Sequence, residues 1–317
     1  MNVLVYMLTA PATRVPHANL ASWTVHLEQC PFRGFVERAL WGGFHADRLG
    51  YAFAAGYGAA LARLFDHAAA TQRLSTSRPF PDPPLRGPIA LAATEQGGAH
   101  PRAIATRLDK QGGAQILTGE KTFVTLASVA DELLVVASRG ASAEGKNRLR
   151  IARVPMRAKG VVMTPRPETP FAPEIPHAIV RFDGVVLEDR DVLPGDGYDV
   201  WIKPFRTIED VHVLAATVGY VIGVGRNHGF SRAVLAELAA SALALIDAGA
   251  RDPSSPLTHV VLDGAFATVR RLLGTIDWET VEAEERARWH RDAPLLLVAE
   301  KVRAARTEAA WTRLGSS

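Results

Sequence analysis

Residues 92–100 read Ala92-Ala93-Thr94-Glu95-Gln96-Gly97-Gly98-Ala99-His100. They are followed by Thr118-Gly119-Glu120-Lys121-Thr122-Phe123-Val124-Thr125 and then by Ala127-Ser128-Val129-Ala130-Asp131. Each block joins a short apolar run to small or turn-forming residues. The first ends the run at 89–93 in Gly97-Gly98, and the last opens the run at 132–137. Similar runs lie at 114–117, 149–154, 161–164 and 178–182, with Gly112-Gly113 and Pro194-Gly195-Asp196-Gly197 as punctuation. Short apolar runs separated by such turns predict a β-barrel or sandwich.

Outside this stretch the texture is helical. Residues 45–64 contain no proline, and Phe53, Tyr57, Ala60, Leu61 and Leu64 recur at helical spacing. Gly56 and Gly58 weaken that helix and are expected to let a neighbour approach closely. Prolines 79, 81, 83, 84 and 88 make 75–88 a linker, because proline lacks an amide donor and fixes its own φ. Helices are expected again over 209–224, 232–248, 257–273 and 292–314. In the last, Leu295, Val298, Ala299, Val302, Arg306 and Ala309 form the inward stripe. Lys301, Arg303 and Glu308 face out, and Asp292 caps the start ahead of Pro294. Segregated runs of helices, strands and helices predict an α+β chain. Its expected parts are an N-terminal helical domain with a proline-rich linker (1–88), a β-domain (89–200) and a C-terminal helical bundle (201–317).

Composition narrows the classes of function. The 317 residues amount to roughly two domains at about 150 each. With 36 Lys+Arg against 33 Asp+Glu, the net charge of +3 gives no clustered basic composition of the kind nucleic acid calls for. The single cysteine, Cys30, excludes an internal disulfide or a multi-cysteine metal site and is expected to be an ordinary apolar position. The ten histidines include no His-x-x-x-His pair, so no metal is expected. The first arginine is Arg14, too late for a signal peptide, and no run is expected to span a membrane. A cytoplasmic location follows as an expectation.

The three opening blocks, in their order and spacing, resemble the middle domain of the acyl-CoA dehydrogenases. In those flavoproteins a Thr-Glu-Pro-Gly-Ala-Gly-Ser-Asp-like loop precedes a Gly-x-Lys-x-Phe-Ile-Thr segment and an Ala-x-x-Ala-Asp turn. Phe182-Asp183-Gly184-Val185-Val186-Leu187 and Asp191-Val192-Leu193-Pro194-Gly195 resemble that domain's closing strand and exit turn. The resemblance covers roughly residues 45–314. It implies an FAD whose ring lies against the β-domain, with hydroxyl hydrogen bonds from Thr94 and Thr125 and with Phe123 packed beside it. Fixed dipoles there stabilise the charge that a reduced flavin gains near N1. Taken without the motif, the same hydroxyls read as local backbone caps. It also implies an acyl-CoA or related substrate, a separate electron acceptor and assembly as a homo-oligomer.

Two departures from the family pattern stand out. His100 replaces a small hydroxyl residue and is expected to be an exposed loop histidine. The Arg-x-x-Phe-Gly segment that reaches the FAD pyrophosphate has no clear counterpart, and Gly225-Arg226-Asn227-His228-Gly229-Phe230 fits it poorly. Gly223-x-Gly225 follows a helix-like run and so is no dinucleotide fingerprint.

The family's reaction needs a carboxylate that removes the α-proton of the thioester. In most members that Glu follows a Gly-Gly turn late in the C-terminal domain, and the sequence reaches Leu314-Gly315-Ser316-Ser317 about where the turn is expected. One branch instead places its Glu on the first helix of that domain. Aligning Ala215-Ala216-Thr217-Val218-Gly219 with that helix puts Glu209 in the position. Glu209 is therefore the candidate base for an α,β-desaturation. The competing reading puts Glu209 and Asp210 in a first helical turn capped by Thr207, where negative charge is favourable. A same-fold flavin monooxygenase and a non-catalytic partner subunit are the alternatives.

Overall fold

A computed structural model describes residues 1–14, 16–73 and 88–315; the expected linker at 75–88 lies, apart from Pro88, outside them. The architecture is α+β, with N-terminal helices, a central curled sheet and C-terminal helices, as expected. The N-terminal helices are α1 (Val3–Thr9), α2 (Leu20–Leu27), α3 (Phe35–His45) and α4 (Leu49–Arg73). The strands are β1 (Ile89–Ala92), β2 (Arg107–Gln111), β3 (Ala114–Thr125), β4 (Glu132–Ala141), β5 (Asn147–Pro155), β6 (Val161–Pro165) and β7 (His177–Leu187). The C-terminal helices are α5 (Lys203–His228), α6 (Arg232–Ala250), α7 (Pro256–Thr275), α8 (Ala283–Asp292) and α9 (Glu300–Gly315). The chain divides into two compact units. One comprises Met1–Ala60, Thr169–Glu174 and Phe205–Ser317; the other comprises Leu61–Glu168 and Ile175–Pro204.

In the second unit the strand order is β1-β4-β2-β3-β7-β6, with β5 on β4. β1 runs parallel to β4, whereas the β2–β3, β3–β7, β4–β5 and β6–β7 pairs are antiparallel. The inward positions Leu108, Leu117, Val124, Leu133, Val135, Ala152, Val154, Val180 and Phe182 fill one core. β2 is missing from the apolar runs because only Leu108 of Arg-Leu-Asp-Lys-Gln is buried. β3 carries a register shift against β7 between Lys121 and Val124. Such a bulge re-aims the side chains beside it, and here they are Thr122 and Phe123.

In the first unit, glycines let helices approach to backbone contact. A Cβ on Gly43 of α3 would sit 1.8 Å from the Ala216 carbonyl oxygen of α5, and one on Gly219 would sit 2.1 Å from the Leu40 oxygen. Gly56 meets the His212 oxygen in the same way, whereas Gly58 faces open space. Gly43→Ala is therefore expected to lower stability by about 1–3 kcal/mol, since backbone must move to admit the methyl group. Gly58→Ala is expected to raise stability by about 0.5–1 kcal/mol through helix propensity alone. Urea unfolding of both variants checks the pair, and equal effects would contradict the packing assigned to Gly43.

The expected helix at 292–314 is instead split. α8 ends at Asp292, a 3-10 turn covers Ala293–Leu297, and α9 begins at Glu300. Pro294 removes an amide donor, and Ala299 takes φ 61°. The shift rotates the helix, so Arg303 is buried and Val302 is exposed, opposite to the stripe the sequence predicts. Arg303 spends its donors on Asp210 Oδ1 and on the Val298 and Leu296 carbonyls. Asp292 caps no helix with its side chain; fully buried, its Oδ1 accepts from the Ala172 amide at 2.7 Å.

Two helical stretches, Gly197–His228 and Arg232–Ala250, are long and apolar enough to cross a membrane by length and composition, contrary to the expectation that no run is. The apolar window of the first is 83% buried, as in the core helix of a globular unit, and that of the second is 28% buried.

Candidate functional site

The loop after β1 is a tight turn. The Glu95 amide donates to the Gly98 carbonyl and the Gly98 amide to Glu95, with Gly98 at φ 91°. A positive φ suits glycine because no Cβ is present. Thr94 pairs across to Phe123 in an antiparallel bridge, and the Thr122 amide donates to the Thr94 carbonyl at 2.9 Å. On β3, Val124 points into the core opposite Ala178, so its neighbours Phe123 and Thr125 point to the other face. Thr125 lies opposite His177, whose ring stacks on Phe123 at 4.2 Å and 28°. Thr94, Phe123 and Thr125 thus come together on one side of the sheet. Phe123 is 37% exposed, so its ring is open to a ligand. No described residue hydrogen-bonds the hydroxyl of Thr94 or of Thr125.

Beneath this face lies a buried ion pair that joins the two motif blocks. Lys121 is fully buried, and its Nζ lies 2.6 Å from Glu95 Oε1. The other Glu95 oxygen accepts from the Ala105 amide at 2.7 Å, and Oε1 also accepts from the Thr106 amide at 3.1 Å. Burial works to raise the Glu95 carboxyl, but the Lys121 ammonium and these donors outweigh it and hold it below the usual range. Burial pulls Lys121 down to about 8 against the opposing effect of Glu95. Both groups are therefore charged at neutral pH. Sequence periodicity carries a signal for this pair. Leu117, Gly119 and Lys121 share one phase of β3, and Leu117 is core, so Lys121 must be buried and needs a counter-charge.

His177 and Arg166 join the face without any sequence motif. Arg166 continues β6, its guanidinium lies 5.4 Å from the Phe123 ring centroid, and its Nη1 donates to the Thr122 carbonyl at 3.0 Å. His177 Nδ1 is buried without a hydrogen-bond partner among the described residues. Burial, and secondarily Arg166, lower the imidazole, so it stays neutral.

Glu209 belongs to the other unit. α5 begins at Lys203 and continues a π-helical turn over Gly197–Ile202, so Glu209 and Asp210 lie beyond the first turn. Thr207 is no cap; its hydroxyl accepts from Arg306 Nη1 at 3.0 Å. The helix-start reading of Glu209 is thereby removed. Asp210 is held by Arg303 at 3.1 Å and by Arg306. No described residue hydrogen-bonds Glu209. Its side chain is partly buried. Burial, reinforced by the Asp210 charge, pushes its carboxyl up to about 8 against the opposing Arg306 and Arg206 guanidiniums.

The remaining candidates are structural. His100 is exposed, and its Nδ1 accepts from the Arg102 amide. Arg226 donates to the Met7 carbonyl at 2.6 Å and His228 pairs with Glu285, so the segment nearest to the missing pyrophosphate motif is otherwise engaged. Gly223 lies within α5, as expected of a helix-like run. Burial raises the half-buried Cys30 thiol and so lowers its reactivity. Arg288 to Asp292 forms the end of α8.

In chain order the molecule has helices, a sheet and helices, and two consecutive motif loops build an open face of that sheet. Residues 90–185 match the family model described as acyl-CoA dehydrogenase, middle domain. The chain superposes on butyryl-CoA dehydrogenase from Megasphaera elsdenii with a TM-score of 0.62 at 15% identity, covering 88% of this chain and 80% of that one. For the prolyl acyl carrier protein oxidase AnaB the TM-score is 0.64 at 17% identity, covering 97% and 96%. For the dibenzothiophene monooxygenase of Paenibacillus sp. A11-2 it is 0.61 at 16% identity, covering 85% and 80%. No curated protein matches the sequence. Residues 90–185 thus match an acyl-CoA dehydrogenase middle domain, and most of the chain shares the fold of these structures.

Proposed function

We propose that the protein is a flavin-dependent oxidoreductase that desaturates an acyl thioester, with FAD seated against Thr94, Phe123 and Thr125 and with Glu209 as the base. The carrying observation is the convergence of those three side chains on one open sheet face, with an exposed ring between two hydroxyls that no described residue engages. The residues fit a flavin ring: Phe123 would pack against the planar ring, and the free Thr94 and Thr125 hydroxyls would bond its polar edge. A flavin bound there supplies the two-electron acceptor.

The chain's own residues supply the rest. Lys121 and Glu95 hold the two loops at a fixed separation, so the hydroxyl dipoles need no reorganisation as charge develops. Glu209, raised to about 8 by burial and by Asp210, is strong enough as a base to take a thioester α-proton. Asp210 is anchored by Arg303 and Arg306, which fixes the helix that carries the base. The acyl carrier is a coenzyme A or carrier-protein thioester, in keeping with the names of the butyryl-CoA and prolyl carrier-protein neighbours. Electrons then pass to a separate acceptor. Assembly as a homo-oligomer is supported by α6, whose apolar stretch is only 28% buried.

The test is anaerobic mixing of the FAD-loaded protein with a panel of acyl thioesters. Bleaching of the oxidised flavin band with release of a 2-enoyl thioester is expected. A band that bleaches only with a nicotinamide reductant, with oxygen then inserted into an organic substrate, would replace the reading with the monooxygenase. A protein that takes up no flavin would replace it with the partner subunit.

A further inference from the structure

Phe123 is engaged by two different groups. His177, directly opposite Thr125 on β7, stacks on the ring at 4.2 Å, and the Arg166 guanidinium stands 5.4 Å from its centroid. Arg166 is held in place by its bond to the Thr122 carbonyl, within the β3 bulge that displays Phe123. It makes no ion pair with any described carboxylate. Lys121, the cation within the two motif blocks, is fully buried and committed to Glu95. The open face therefore carries, at Arg166, a positive charge that no described carboxylate pairs with, fixed beside the exposed aromatic ring. A guanidinium over an aromatic face is only weakly stabilised while solvent reaches it, and gains when a planar ligand excludes that solvent.

We infer that Arg166 is a positioning residue for charge: it favours the anionic, reduced form of a flavin ring on this face over the neutral oxidised form. The inference rests on the proposed flavin seat. Phe123 packs against either form, and the Thr94 and Thr125 hydroxyls offer only neutral dipoles to the reduced one. Arg166 separates the two forms further, because it sets a full positive charge beside a ring that is negative only when reduced. His177, kept neutral by burial, adds stacking without competing for that charge.

The experiment compares the affinities of the intact protein for oxidised and reduced FAD, by fluorescence titration and by the midpoint potential of bound flavin. Three proteins are used: wild type, Arg166→Gln and Arg166→Lys. In Arg166→Gln the preference for reduced over oxidised FAD is expected to fall about tenfold, as loss of one charged contact implies, with oxidised FAD still bound. Arg166→Lys is expected to restore part of the preference. A preference unchanged in Arg166→Gln overturns the inference. So does an equal loss of affinity for both forms, which would make Arg166 a contact to a phosphate chain present in each. Wild-type protein that binds neither form overturns the flavin seat itself and the inference with it.

Discussion

Replacing Lys121 with methionine is expected to lower the stability of the protein by about 3–5 kcal/mol, the usual cost of stranding one member of a buried ion pair. Lys121 is fully buried, and its only charged partner among the described residues is Glu95. Without it, the carboxylate keeps the Ala105 and Thr106 amides but loses its counter-charge. The change also inverts a pH dependence. In the wild type the Glu95 carboxyl is held below its usual range, so its contribution is present above the unfolded value and is lost as pH falls. In Lys121→Met, burial acts on Glu95 without that opposition, and the carboxyl rises. The variant then recovers stability as pH falls, so the gap between variant and wild type should narrow from pH 7 toward pH 4. The double variant Glu95→Gln/Lys121→Met should recover most of the loss, because no charge is then left buried alone. Urea unfolding at several pH values checks all three statements. A single-variant loss below about 1 kcal/mol would mean that the pair is solvated and does not join the two loops.

Replacing Glu209 with glutamine is expected to reduce thioester desaturation by about 10²–10⁴-fold, the range for loss of a general base, while leaving FAD affinity unchanged. Glutamine preserves shape and polarity but cannot accept the proton. In the wild type the activity should rise with pH through about 8, since Glu209 must be ionised to act and burial holds its carboxyl there. The stability consequence has the opposite sense. A carboxyl raised on folding contributes fully below its unfolded value, and that contribution is lost as pH rises through about 8. Glu209→Gln should therefore be more stable than the wild type at alkaline pH. Stopped-flow reduction of the bound flavin and thermal unfolding at pH 5 and pH 9 separate the two effects. Normal turnover in the variant would remove Glu209 from the mechanism.

Much of the sheet is legible in the sequence because its strands alternate between core and surface. Leu117, Val124, Val180 and Phe182 announce their phase by residue type alone. β2 does not, because a strand with one buried leucine among charged residues carries no apolar period. The C-terminal helices follow their apolar spacing until Pro294, after which the expected stripe fails. A 3-10 turn changes the angular phase of everything downstream, and no side-chain pattern announces the positive φ of Ala299. The burial of Arg303 is the result: a cation read as solvent-facing supplies the bonds that hold Asp210.

The candidate site was readable where it depends on local order. Thr94, Phe123 and Thr125 lie in two motif loops, and the sheet brings them to one face. Arg166 and His177 were not readable. They reach Phe123 only because β6 and β7 pair beside β3, a relation between residues more than 40 positions apart in the chain. The competing reading of Glu209 failed for a different reason. It assumed a helix beginning near Thr207, whereas a π-helical turn carries the helix back to Gly197 and leaves Glu209 well inside it.

The central claim is that the open face of the sheet is a seat for a flavin ring. Titration of the purified, flavin-free protein with FAD, followed by the flavin absorbance and fluorescence, tests it most directly. Saturable, stoichiometric uptake is predicted, weakened by about 1–3 kcal/mol when Phe123 is replaced by alanine and weakened further when Thr125 is replaced as well. Absence of saturable uptake, or uptake unaffected by both substitutions, would contradict it.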